Sequence, residues 1–201
     1  MNRSDITVLG ISGSPRRHGN TETLLDEFLK GALEAGGKTE KIVLKSAKFE
    51  PCRGCNACHK TGSCIVNDDA VKILESAINS DILAVSSPIY SMGITAELKG
   101  LIDRGQYIWA QKFIRKTRFY TNEHISHHKG VFISTAGTGW DKVFDAAFPM
   151  ITAFFNTLGF EYFDNVIAND MDRWGGVKGH PSALSDALIT GQNLVTKLKK
   201  I

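Results

Sequence analysis

The sequence has almost no excess of one charge: 24 Lys and Arg stand against 21 Asp and Glu, a formal net charge of +3 over 201 residues. That small surplus is dispersed, whereas nucleic-acid binding by phosphate neutralisation needs a concentrated basic surface, so no nucleic-acid partner is expected. No apolar stretch is long enough to span a bilayer, so no membrane contact is expected either. The opening MNRSDITVLGISG runs from a short apolar segment straight into a Gly-rich turn, without the apolar core and cleavage site of a signal peptide. The expected setting is cytoplasmic, where thiols stay reduced and clustered cysteines point to metal or catalysis rather than to a disulfide framework. Internal repeats, low-complexity tracts and hydrolase arrangements of the Ser-His-Asp or Cys-His kind are also missing.

What is present is an ordinary globular composition, 42% hydrophobic and 22% charged, enough for one core and short for two. A single domain over 1–201 is expected. Five β-rich apolar runs, at 6–11, 40–44, 82–86, 130–135 and 162–167, alternate with helical patterns at 21–35, 70–79, 95–109, 141–158 and 182–199. This alternation is the pattern of an α/β fold with a parallel sheet covered on both faces, and most of the runs are continuously apolar, as buried parallel strands are. In the first helix Leu24, Leu25, Phe28, Leu29 and Leu33 form one apolar stripe, a cap is expected at its start, and Gly36 and Gly37 suit its C-terminal cap. Asn67, Asp68 or Asp69 is expected to cap the helix that follows, a structural role.

Between the first strand and the first helix runs SGSPRRHGNT, residues 12–21. Amides at a helix N-terminus and the positive end of the helix dipole make an anion site there. Ser12, Ser14, Asn20 and Thr21 add side-chain donors, and Gly13 and Gly19 permit a tight backbone. No GK[ST] follows, and GxGxxG is absent, which disfavours a nucleoside triphosphate or a Rossmann-bound NAD. A loop that encloses one terminal phosphate suits a mononucleotide better. Arg16 and Arg17 either neutralise a phosphate or stay solvated, and the residues alone do not choose between these roles.

GISGSPRRHGNT resembles the phosphate loop of the NAD(P)H-dependent FMN reductase branch of the flavodoxin-like superfamily. The likeness continues in SSPIYSMGITAELKGLIDR (86–104) and in STAGTGW (134–140), which resemble that family's second and third flavin loops. It implies a three-layer sandwich with a five-stranded parallel sheet in the order 2-1-3-4-5. It implies FMN held by Ser12, Ser14, Pro15, Arg16, Gly19, Asn20 and Thr21, with Pro88, Ile89, Tyr90, Ser91 and Met92 along the ring system. Ser134, Thr135, Ala136, Gly137 and Thr138 would meet its pyrimidine side. Tyr90 and Trp140 either border the ring or belong to the core. No catalytic side chain is expected, because the flavin carries the redox step. NAD(P)H or a ferredoxin-like protein as electron donor, a small-molecule acceptor, and a homodimer or homotetramer follow from the same resemblance.

All four cysteines fall in PCRGCNACHKTGSC, as C-x2-C-x2-C-x5-C through Cys52, Cys55, Cys58 and Cys64. They lie in a cysteine-rich insertion at about 46–67, longer than an ordinary connection. Thiolates at every third residue can fold around a [4Fe–4S] cubane, with Gly54 and Gly62 relieving the backbone. The spacing and its place after the second strand resemble the iron–sulfur flavoprotein family, which implies a cluster beside FMN. Two other readings stay open. One is a Cys₄ zinc site, awkward with a middle gap of two residues; the other is a dithiol at Cys55 and Cys58, or thiols without metal. His59 is expected at the surface rather than as a ligand.

The segment 111–129, QKFIRKTRFYTNEHISHHK, is basic and aromatic. It reads either as a cover over the flavin or part of a subunit interface, or as a solvated loop. His124, His127 and His128 lack the carboxylate or Cys partners of a metal site. The Gly-rich RWGGVKGHP before the last helix has no evident role.

Overall fold

The computed structural model describes residues 5–201. The described residues form five strands, β1 (Thr7–Ser12), β2 (Lys38–Val43), β3 (Ile82–Pro88), β4 (Lys129–Thr135) and β5 (Glu161–Ala168). All pair in parallel in the order β2-β1-β3-β4-β5. The chain leaves β1 for one edge and returns to its other side at β3, so the strand order reverses between β1 and β3, where open α/β sheets leave a crevice for ligands.

Alternate residues of each strand face opposite layers. Leu9, Ile11, Leu83, Val85 and Phe132 point into one core, covered by α3 (Asp69–Ile78), α4 (Ala96–Arg104) and α7 (Ala147–Leu158). Val8, Ile82, Ala84, Val131 and Ile133 point into the other, beneath α1 (Asn20–Glu34) and α9 (Ala183–Leu198). These last two helices meet backbone to backbone: a Cβ on Gly31 would stand 2.0 Å from the Leu188 carbonyl oxygen, and one on Gly191 2.1 Å from that of Phe28. The central strands β3 and β4 are buried along their whole length, as continuous apolar runs require, while edge strand β2 exposes Lys38 and Glu40. No helix among the described residues is long and apolar enough to cross a membrane.

Several boundaries differ from the periodicity. The helix expected at 95–109 is interrupted at Gly105, giving α4, then α5 (Gln106–Trp109), then a π-turn at Ala110–Ile114. The helix expected at 141–158 begins only at Ala147, because 141–146 forms turns. Three short helices, α2 (Ala57–Thr61), α6 (Asn122–His127) and α8 (Met171–Trp174), lie in segments where no element is expected. Each is too short to show helical periodicity. Asn56 and Gly62 flank α2, and Asp170 and Gly175 flank α8, all in the left-handed conformation that stops a helix within a turn.

Candidate functional site

At the end of β1 the Gly13 amide donates to the Ser86 carbonyl at 2.8 Å. A Cβ here would come within 2.8 Å of Leu98 Cβ and 2.9 Å of the Ser86 oxygen, so only glycine lets the loop lie against α4. Thr95, which caps α4, donates from Oγ1 to the Gly13 carbonyl at 2.6 Å. Ser14 closes the next turn on itself, donating to the Arg16 carbonyl at 3.0 Å and accepting from the Arg16 amide at 3.2 Å. His18 takes the left-handed conformation (φ +56°) and its amide donates to Glu22 Oε2 at 2.7 Å.

Glu22 is fully buried, and it also receives Lys41 at 3.1 Å and Arg17 at 3.4 Å. Burial by itself would raise its pKa, but the His18 amide, Lys41 and Arg17 together hold the carboxyl below its ordinary value. The ionised side chain therefore pins the loop to the helix. Contrary to the expectation of a capped start, Gly19 precedes α1 and no side chain among the described residues caps the helix. Its first-turn amides and the positive end of its dipole are left facing the loop, an arrangement that receives an anion.

The three loops converge on one cavity of ≈ 300 Å³ at the C-terminal ends of the central strands. Ser14, Arg16, Gly19, Asn20 and Thr21 come from the first loop, Pro88, Ile89 and Tyr90 from the second, and Thr135, Ala136 and Gly137 from the third. The Thr21 and Thr135 hydroxyls bond to each other and tie the first loop to the third. Met171 and Asp172, which the sequence reading omits, add a fourth wall. The Gly-rich loop before α9 also has a place: the Val177 amide donates to Asn20 Oδ1 at 3.0 Å.

Six of the expected contact residues do not line this cavity. Ser12 is fully buried at the strand end, its hydroxyl without a partner among the described residues. Ser134 donates to the Ser87 carbonyl at 2.6 Å, and Thr138 accepts from the Trp140 amide at 3.2 Å. Ser91 and Met92 form the left-handed tip of a turn closed by paired bonds between Tyr90 and Gly93. Pro15 lies outside as well, and so does Trp140, which is exposed. Arg16 reaches the cavity while Arg17 turns to Glu22. The donor set fits FMN: a helix N-terminus with Ser14, Asn20, Thr21 and Arg16 for its phosphate, and Ile89, Tyr90 and Met171 as an apolar border for its ring.

Cys52, Cys55, Cys58 and Cys64 all line a second cavity, of ≈ 160 Å³, with Arg104 at the end of α4. Gly54, Asn56 and Gly62 each adopt positive φ, which folds the segment back on itself. Cys58 is buried, Cys64 half-buried, and Cys52 and Cys55 are exposed; none is in a disulfide. Burial raises the Cys58 pKa, and the neighbouring thiols Cys52, Cys55 and Cys64 raise it further, a sign that the four share one locale. The Gly54 amide lies 3.5 Å from Cys52 Sγ, and Arg104 Nη2 3.4 Å from Cys64 Sγ. Among the described residues no three Cys, His or carboxylate groups converge as ligands of a single metal ion. Four thiols lining one cavity have the donor chemistry that an iron–sulfur cluster uses.

Asp68 caps α3, accepting from the Ala70 amide at 3.1 Å, and also pairs with Arg104 at 2.6 Å. His59 packs its ring against Trp109. The basic segment packs on the cysteine segment instead of covering the first cavity. Gln111 Nε2 donates to the Gly62 carbonyl at 2.7 Å, and Arg115 bonds to the Lys60 carbonyl. Tyr120 stacks on His124 and His124 on His128, whose ring meets Phe160 edge-on.

Iron–sulfur flavoproteins of several organisms are similar in sequence. One from Methanocaldococcus jannaschii is 43% identical over 99 residues, 49% of this chain and 51% of the relative. That of Methanosarcina thermophila is 32% identical over 111 residues, 55% of this chain and 58% of the relative. The chain thus spans about half the length of the curated relatives it matches. Among solved structures, an NAD(P)H:quinone oxidoreductase from Methanothermobacter marburgensis superposes with a TM-score of 0.65 at 20% identity, covering 95% of this chain and 96% of that one, a likeness of fold. The profile of the NADPH-dependent FMN reductase family matches residues 6–159. On that match over most of its length, the chain belongs to the NADPH-dependent FMN reductase family.

Proposed function

We propose that this chain is an iron–sulfur flavoprotein, which passes electrons between a donor, a [4Fe–4S] cluster and FMN. The observation that carries the reading is the single cavity lined by Cys52, Cys55, Cys58 and Cys64. The flavin supplies two-electron chemistry and the cluster one-electron transfer, while the protein supplies binding and orientation. Ser14, Arg16, Asn20, Thr21 and the first turn of α1 hold the phosphate. Pro88, Ile89 and Tyr90 border one side of the ring, and Thr135, Ala136 and Gly137 its pyrimidine side. The four thiolates hold the iron. One FMN-binding domain thus carries the cysteine-rich insertion at about 46–67, in a homodimer or homotetramer, with NAD(P)H or a ferredoxin-like protein as donor and a small molecule as acceptor.

The test is anaerobic purification or reconstitution, with iron, acid-labile sulfide and FMN quantified on one sample beside its absorption spectrum. About four iron and four sulfide per chain with one FMN is the expected result for this cluster type. Stoichiometric flavin with neither iron nor sulfide would reject it. The family match itself favours a second reading, a cluster-free NAD(P)H-dependent reductase of FMN, quinones or nitro compounds. Rapid steady-state NAD(P)H oxidation by iron-free protein supports that reading, and it also excludes a non-enzymatic flavodoxin-type carrier.

A further inference from the structure

Among the buried hydrogen-bond donors left without a partner in the described residues, two belong to side chains that line the cysteine cavity. Arg104 is 3% exposed and Tyr107 6%, yet Arg104 Nε and the Tyr107 hydroxyl have no partner among the described residues. Buried polar groups are paired almost without exception, so two orphans on one cavity wall call for a ligand. Both residues lie on the wall of the cavity that carries Cys52, Cys55, Cys58 and Cys64. They stand three positions apart across the junction of α4 and α5.

The rest of the Arg104 guanidinium is committed. Nη1 donates to the Glu50 carbonyl at 2.8 Å and to Asp68 at 2.6 Å, and Nη2 to the Val66 carbonyl at 2.8 Å and to Cys64 Sγ at 3.4 Å. Glu50 and Val66 bracket the cysteine motif, so one side chain closes the segment into a loop and fixes the direction of its remaining N–H. The pKa of Tyr107 is pushed up to about 12, by burial first and by the charge of Glu75 next, so its hydroxyl keeps its proton at neutral pH.

Resting on the cluster reading above, we propose that Arg104 Nε–H and the Tyr107 hydroxyl donate hydrogen bonds to the sulfurs of the cluster held by the four cysteines, and that they raise its reduction potential. Reduction adds one electron, hence one negative charge, to a site already made anionic by thiolates. Donors aimed at the sulfurs favour the more negative state, and their effect is larger in a dry pocket than in water. Neither residue touches iron; both act through the sulfurs.

Tyr107→Phe removes one oxygen and keeps the ring in place, and Arg104→Lys keeps the charge while removing the planar fork. Each full-length variant is loaded with FMN and with iron and sulfide, and its cluster is titrated anaerobically with redox mediators, followed by visible absorption and electron paramagnetic resonance. The expected result for Tyr107→Phe is wild-type iron and sulfide content, an unmoved flavin potential, and a cluster potential lower by about 59 mV, a tenfold change in the one-electron equilibrium. Arg104→Lys is expected to shift in the same direction; if it fails to load iron, Tyr107→Phe decides alone. A fully loaded Tyr107→Phe protein at the wild-type cluster potential overturns the donor pair and leaves the cluster reading standing. A wild-type protein that takes up no iron or sulfide overturns the cluster reading, and the donor pair with it.

Discussion

Replacing Glu22 separates what holds the phosphate loop in shape from what touches its ligand, because Glu22 is buried beneath the loop and does not line the cavity. Its carboxylate takes three partners: the His18 amide at 2.7 Å, Lys41 at 3.1 Å and Arg17 at 3.4 Å. A hydrogen bond to a charged group contributes about 1.5–3 kcal/mol. The ion pairs add less than about 1 kcal/mol, because Arg17 is exposed and Lys41 keeps its bond to Asp26. Glu22→Ala should therefore cost about 2–4 kcal/mol. Glu22→Gln, which keeps the shape and one acceptor, should cost about 1–2 kcal/mol.

For a domain of this size that predicts a fall in Tm of roughly 5–15 °C for Glu22→Ala, read by circular dichroism on flavin-free protein. FMN titration, followed by flavin fluorescence, should show binding weakened about tenfold, since ligand must then order the loop at a cost of about 1.4 kcal/mol. The carboxyl pKa in the folded state lies below its ordinary value of 4.5, so the stabilisation is fully present above pH 4.5 and is lost as pH falls through the folded pKa. The Tm gap between wild type and Glu22→Gln should accordingly be constant near neutrality and narrow below pH 4.5. A Glu22→Ala protein with wild-type Tm and wild-type FMN affinity would refute the reasoning.

Arg16 and Arg17 should behave differently: Arg16→Gln is expected to weaken FMN binding about tenfold and reduce its salt dependence, whereas Arg17→Gln changes it less than about twofold, by the same titration at two ionic strengths. Gly13→Ala drives a methyl group into Leu98 and the Ser86 carbonyl, so FMN affinity should fall by about tenfold or more, and equal affinity would show that the loop does not need its contact with α4. Gly31→Ala places a Cβ 2.0 Å from the Leu188 oxygen and should lower stability in urea by about 3 kcal/mol or more without changing FMN contacts. Arg115→Ala cuts one of the ties between the basic segment and the cysteine segment, and in iron-free protein it should speed alkylation of the half-buried Cys64 more than that of the exposed Cys52 and Cys55, measured by mass spectrometry.

The features legible in the sequence are those whose cause is local. Continuous apolar runs mark β3 and β4 because both of their faces are buried. The phosphate loop is legible because its glycines, hydroxyl side chains and the helix it introduces are consecutive, and the cysteine motif because its spacing is itself the constraint. Short helices such as α2 and α8 were hidden, since one turn between left-handed residues leaves no periodic pattern.

The sequence by itself thus determined the βα alternation, a mononucleotide loop and a thiol cluster. Only the tertiary structure decided what lies beside them. It turned Arg16 to the cavity and Arg17 to Glu22, added Met171 and Asp172 to the cavity wall, and laid the basic segment against the cysteines. It also set Arg104, 40 positions after Cys64, within reach of that sulfur. The physical reason is that a hydrogen bond between distant residues leaves no pattern in either stretch of chain. It exists only once the packing of helices on both faces of the sheet has brought its two halves together.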